Sequence, residues 1–257
     1  MIELFHWEPV SHSARVLICL HEIGVDFESH YVDLLDFEQF SEDFLDLNPF
    51  GQVPVLKCND VLMTESALIN EYLAELFPDA GLAPMDPLGW YNVQTWSKYV
   101  DYNLSSSLAT LACSKYLVPL LQERDQSELK KTIASIPVAE RRSAWQLAAD
   151  DDYTDDMVRN SERKTDLVIK RMEGILVGAD WLVGNTYSVA DINTFAMINT
   201  LKDVASKIVN IDNAPNTLDW LDRIAARPAV KDALTKNKKH EVVGKVFAPG
   251  PEHSRWG

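Results

Sequence analysis

Basic residues are nearly missing from the first third of this chain. Residues 1–80 contain only Arg15 and Lys57 against sixteen acids, whereas residues 81–257 are almost balanced. So acidic a segment repels phosphate backbones and excludes nucleic acid as the expected partner. It also marks residues 1–80 as a unit distinct from the rest. Cysteine is scarce as well: Cys19, Cys58 and Cys113 are odd in number and widely spaced, which fits neither a disulfide framework nor a zinc site. A reducing cytoplasm is the expected home. No run of 18 uncharged apolar residues is present, so no membrane span is expected. The opening Met1–Pro9 lacks the basic and apolar regions of a secretory signal.

What is present is a change of pattern at a linker. Strand-like Ile2–Phe5 precedes a helical run with Val16, Leu17, Leu20 and Ile23 on one face and Gly24 as its stop. Phe27–Leu34 reads as a strand and Phe37–Leu47 as helical. Val53–Cys58 and Val61–Thr64 read as short strands about an Asn59-Asp60 turn. Ser66 then opens a helix bearing Ile69, Tyr72, Leu73 and Leu76. Three prolines and two glycines in residues 78–89 predict a linker covering 81–89. From 90 to 240 the periodicity is helical, with long stretches over Trp90–Tyr116, Pro137–Ala149, Asp155–Val177 and Ser188–Lys207; residues 241–257 read as an irregular tail. The expected architecture is an α/β domain followed by an all-α domain.

Two segments carry chemistry. In Asn48-Pro-Phe-Gly-Gln52-Val53-Pro54-Val-Leu56, a proline directly before a buried strand cannot join its ladder. A cis Val53–Pro54 bond would turn the Val53 amide and carbonyl toward a peptide-like ligand. In Thr64-Glu65-Ser66, Ser66 is expected at the helix N-cap, leaving first-turn amides and the helix dipole for a carboxylate. Glu65 stands ready for an ammonium. Together they suit the two ends of an amino-acid head group.

These motifs, in this order, resemble the glutathione transferases. Residues 1–80 look like that family's thioredoxin-like domain, and Gly184-Asn-Thr-Tyr-Ser188-Val-Ala-Asp191 matches a capping box in its helical domain. Phe37-Glu-Gln39, Trp96–Asp101, Ile136–Trp145 and Ser188–Asn193 are similar to bacterial β-aryl-etherases. The resemblance implies a thioredoxin-like domain joined to a helical domain, glutathione as co-substrate, and no metal. It also implies attack by the glutathione thiolate on an ether-bearing carbon of a lignin-derived aromatic ketone. The alternatives are a non-catalytic or partner subunit, and a generic detoxifying transferase or peroxidase.

The implied glutathione contacts are Gln39, Gln52, Val53, Pro54, Glu65 and Ser66, with Gln39 near the glycine carboxylate. For the thiolate, serine-type relatives select Ser11, four residues before Arg15; the etherase-like pattern selects Ser13, the first choice here, with His12 beside it. Trp96, Tyr99 and Tyr102 follow the linker and are candidates for an aromatic substrate pocket, with helix packing the competing role for at least half of the linker-proximal aromatics. A homodimer, or a heterodimer with a homologous chain, is expected. Asp150–Asp152 with Asp155–Asp156 read as a solvated acidic loop.

Overall fold

The structure is a computed structural model and describes residues 1–236; the tail expected over 241–257 lies outside them. The chain opens with β1 (Ile2–His6), α1 (Ser11–Ile23), β2 (Glu28–Tyr31), α2 (Glu42–Leu47), β3 (Val55–Cys58), β4 (Val61–Met63) and α3 (Ser66–Leu76). The four strands form one sheet in the order β2-β1-β3-β4, with β1 and β2 parallel and the other two pairs antiparallel.

Alternation along β1 decides what each face of the sheet meets. Ile2 and Leu4, with Leu56 and Cys58 of β3, join the main core beneath α1 and α3. Phe5 and Val55, one residue out of phase, meet Phe44 and Leu47 of α2 on the other face. Gly24 ends α1 in the left-handed region, at φ 74°. Asn59 and Asp60 both take positive φ, as a two-residue hairpin turn requires.

The helical half begins inside the expected linker of 81–89, where Asp86 caps a helix opened by Pro87, and Pro87–Gln122 forms one 36-residue helical column. It consists of α4 (Pro87–Val100), α5 (Ser106–Ala112) and α6 (Val118–Gln122), joined by wider π-turns at Asp101–Ser105 and Cys113–Leu117. By length and composition alone this column is apolar enough to cross a membrane. Its Val93, Trp96, Val100, Leu104, Leu108 and Leu111 lie instead in the protein core. Then come α7 (Gln126–Ser135), α8 (Ala139–Asp150), α9 (Asp155–Leu176), α10 (Val189–Val204), α11 (Pro215–Ala225) and α12 (Pro228–Leu234).

Helix α7 has no counterpart among the stretches expected from the sequence. Only Leu129 and Ile133 of that helix are buried, so its apolar stripe is thin. Those two join Leu121, Ile136 and Ala148 in a second core, against which Phe37, Phe40 and Trp145 pack. The α7–α8 pair thereby supports the loop before α2. Helix α10 is the hub of the helical half. It is buried along nearly its whole length and packs against α1 and α3 as well as α4, α5 and α11. The two halves therefore share one continuous core.

Candidate functional site

The cradle is built on a turn that the sequence specifies closely. Asn48 accepts the Phe50 amide at 3.1 Å and donates to the Gln52 carbonyl at 2.8 Å, while the Gly51 amide reaches the Asn48 carbonyl at 2.9 Å. Gly51 sits at φ 58°, and a Cβ there would fall 2.5 Å from a Phe40 ring carbon. Only glycine satisfies both conditions. The turn delivers Gln52 and Val53 to the Val53–Pro54 bond, which is cis as the motif predicted.

Opposite this turn lies the start of α3. Its first helical residue is Ser66, and Glu65 occupies the cap position with φ 68° and ψ 93°. Ser66 was expected at the cap itself, so the helix begins one residue earlier than predicted. The Ile69 amide bonds the Glu65 carbonyl at 2.9 Å, which identifies Glu65 as the cap. No side chain caps the first-turn amides. That leaves an N-terminus of the kind that attracts a carboxylate.

A small cavity of about 80 Å³ joins these parts; it is lined by His12, Asn48, Gln52, Val53, Pro54, Thr64, Glu65 and Ser66. Five of the six implied glutathione contacts, together with His12, thus line one cavity. Asn48 and Thr64 were not singled out as site residues, although Asn48 lies in the quoted motif.

Gln39 stands apart. Its side chain is buried with Nε2 3.4 Å from the Leu34 carbonyl, and among the described residues Oε1 has no hydrogen-bond partner. The structure does not bring it into the cavity, because the short helical turn Glu38–Phe40 points its side chain inward.

The two serines of the first loop have other occupations. Ser13 is 3% exposed, and its Oγ accepts the Trp7 amide at 3.2 Å. Ser11 donates to Met197 Sδ at 3.5 Å. Of residues 11–13, only His12 lines the cavity.

Behind the cavity, Arg15 is 1% exposed and bridges the two halves. Its Nε donates to the Asn193 carbonyl at 2.9 Å, and one terminal nitrogen donates to Asp101 Oδ1 at 2.6 Å. The other donates to Ser66 Oγ at 3.3 Å and lies 3.4 Å from His12 Nδ1. Asn70 fixes the same junction, donating to the Arg15 carbonyl at 3.0 Å and to Asn193 Oδ1 at 2.7 Å. A buried guanidinium is tolerable only with partners of this quality. These long-range contacts had no signal in the local sequence.

The aromatic residues expected to form a substrate pocket do not assemble as one. Trp96 is core, with its indole N–H on Thr194 Oγ1 at 2.8 Å. Tyr99 donates to the Leu167 carbonyl at 3.3 Å, and Arg171 lies over both its ring and that of Trp96. Tyr102 is 74% exposed beneath Lys164. Spacings of three turn Trp96 and Tyr99 toward α9. Elsewhere, Glu3, Glu28 and His30 bring three potential metal-ligand atoms within 4.8 Å of one another, but Lys57 already pairs with Glu3 at 2.9 Å.

An α/β sheet domain with a cis-proline cradle, seated on a helical domain, is the architecture of one family. Residues 11–76 match the glutathione S-transferase N-terminal domain and residues 133–228 the glutathione S-transferase C-terminal domain. The chain belongs to the glutathione S-transferase family and has its fold, a thioredoxin-like domain followed by a helical one. Among known proteins it is similar to Protein LigF of Sphingobium sp. (strain NBRC 103272 / SYK-6). The two are 33% identical over 248 residues, covering 94% of this chain and 96% of that protein. The crystal structure of beta-etherase LigF superposes with a TM-score of 0.86, covering 92% of this chain and 99% of that one. Glutathione S-transferase F14 of Arabidopsis thaliana is 29% identical, covering 88% and 80% of the two chains.

Proposed function

We propose that this protein is a glutathione-dependent transferase that cleaves β-aryl ether bonds of lignin-derived aromatic ketones. The observation that carries the reading is similarity along nearly the full length to a beta-etherase, at 33% identity and a TM-score of 0.86. The cavity supports it. Glu65 suits the γ-glutamyl ammonium, Ser66 and the open end of α3 suit the carboxylate beside it, and the Val53 backbone suits the cysteinyl unit. The thiolate attacks the ether-bearing carbon next to the ketone; a carbon–sulfur bond forms, the carbon–oxygen bond breaks, and an aryloxide leaves. Activation of the thiolate and its alignment with the leaving group supply the catalysis.

The test is to incubate the purified chain with glutathione and a β-aryl ether of an aromatic ketone. The expected products are the free phenol and the glutathione thioether in equal amounts. Turnover of an activated chloroarene without ether cleavage would move the assignment to a generic transferase. The engagement of Ser11 and Ser13 with Met197 and Trp7 favours, as second reading, a subunit active only beside a homologous chain; absence of turnover by the chain alone would select it.

The proposal extends to a dimer. Leu68, Tyr72 and Leu76, spaced by four on α3, are exposed, as are Val61 and Leu62 of β4. Such an apolar stripe suits a second copy or a homologous chain. Light scattering is expected to give twice the monomer mass, falling to one for Leu76→Glu. A cytoplasmic setting is part of the same reading, supported by three free thiols.

A further inference from the structure

Resting on the glutathione reading, we infer that His12 is the thiolate-binding residue, its Nε2–H donating a hydrogen bond to the glutathione sulfur.

The argument starts from the ring's other nitrogen. A guanidinium only donates, so the Arg15 nitrogen 3.4 Å away faces an unprotonated His12 Nδ1. Ser66 Oγ, itself accepting from Arg15 at 3.3 Å, turns its proton to the same Nδ1 at 3.2 Å. A neutral ring with a bare Nδ1 carries its hydrogen on Nε2. Among the described residues, Nε2 has no hydrogen-bond partner. His12 lines the cavity that also holds Val53 and Pro54, while neither flanking serine does.

The charged groups around the ring agree. Burial, then Arg15 of its own helix, push the His12 pKa down to about 4, against the pull of Asp101 from the helical column; Glu65 shares the cavity wall. At neutral pH the imidazole is therefore a neutral donor. It does not take the thiol proton, which leaves to solvent as the sulfur ionises; it stabilises the anion left behind. Arg15, fixed by Asp101 and Asn193, keeps the ring in the required tautomer.

The experiment is ultraviolet titration of the bound thiol in the full chain, with calorimetry of glutathione and of S-methylglutathione, which has no thiolate. His12→Ala is expected to raise the thiol pKa by about one unit, a tenfold fall in its ionisation constant. His12→Asn, which restores an N–H donor, is expected to recover most of the shift. S-methylglutathione affinity should stay within about twofold in both variants, which also reports that the cavity is folded. An unchanged thiol pKa in His12→Ala overturns the inference. So does equal loss of affinity for both ligands, which would assign His12 to the γ-glutamyl carboxylate. Failure of the parent chain to bind glutathione overturns this inference and the functional reading together. A pKa shift without ether cleavage overturns only the substrate class and upholds His12.

Discussion

The N-termini of α10 and α3 each carry a serine, Ser188 as the cap of one and Ser66 as the first helical residue of the other, and they are finished in opposite ways. At α10, Ser188 accepts the Ala190 amide while Asp191 accepts the Ser188 amide in return. Asp191 also accepts the Leu182 amide and the Trp220 indole N–H, each at 3.0 Å. Every group there is occupied by the protein itself. At α3, no side chain caps the first turn, the cap residue Glu65 adopts a left-handed φ, and Ser66 faces a cavity. The closed terminus is a folding device. The open one, on the proposed reading, holds donors in reserve for a ligand, at some cost in local stability.

Removing Asp191 should break the closed end with the largest effect of any substitution considered. Asp191→Ala would leave the buried Leu182 and Ser188 amides and the Trp220 indole without their acceptor. A loss of about 3–5 kcal/mol is expected, because each abandoned buried donor costs roughly 1–3 kcal/mol and neighbours do not add fully. Denaturant titration measures it. Glutathione affinity of the protein that remains folded should be unchanged. Intact stability with lost binding would reverse the roles assigned to the two termini.

The second prediction uses pH to separate them. His12, at the open end, is held near pKa 4 by burial and Arg15 but returns to about 6.5 when unfolded. The unfolded chain therefore binds a proton that the folded chain refuses. Stability is fully present above about pH 6.5 and is lost as pH falls toward 4, by at most about 3 kcal/mol. His12→Asn lacks this component, so its stability relative to the parent should rise on acidification. Parallel urea midpoints at pH 7 and pH 4.5 would contradict the assigned proton state.

A third test stays at the open end. Glu65→Ala should weaken glutathione binding by about 1.5–3 kcal/mol, the usual value of a charge-assisted hydrogen bond, with little change in unfolding midpoint. Calorimetry decides it. Unchanged affinity would remove Glu65 from the head-group site.

Which parts of this site were legible in the sequence follows from how local their causes are. The turn at 48–52 was readable because Asn48, Gly51 and Pro54 each impose a backbone requirement within a few residues. The capping box at 188–191 was readable for the same reason. Glu65 was placed one residue wrongly with respect to the helix, because nothing in a glutamate announces φ 68°. Gln39 was assigned to the ligand from its position in a pattern, but which way its amide turns depends on the packing of Phe37 and Phe40 on α7 and α8. Arg15 and Asp101 are 86 positions apart, and only the docking of α1 against the helical column brings them to 2.6 Å. Trp96 is aromatic and near the linker, yet a hydroxyl on α10 claims its indole.

The smallest expected effect gives the sharpest separation of folding from binding. Glu65 occupies a region that glycine enters freely and other residues enter only with strain. Glu65→Gly should therefore relieve strain, while the flexibility that glycine adds to the unfolded chain works the other way. The net change expected is a gain of about 0.5–1 kcal/mol relative to Glu65→Ala, which keeps the strained backbone without the carboxylate. Both variants lack the carboxylate proposed to hold the ammonium and should bind glutathione equally weakly. Comparing the two by urea denaturation isolates the backbone, since neither has a side chain that reaches the cavity. A glycine variant less stable than the alanine one would mean that the left-handed cap is not strained, and that α3 is left open for another reason.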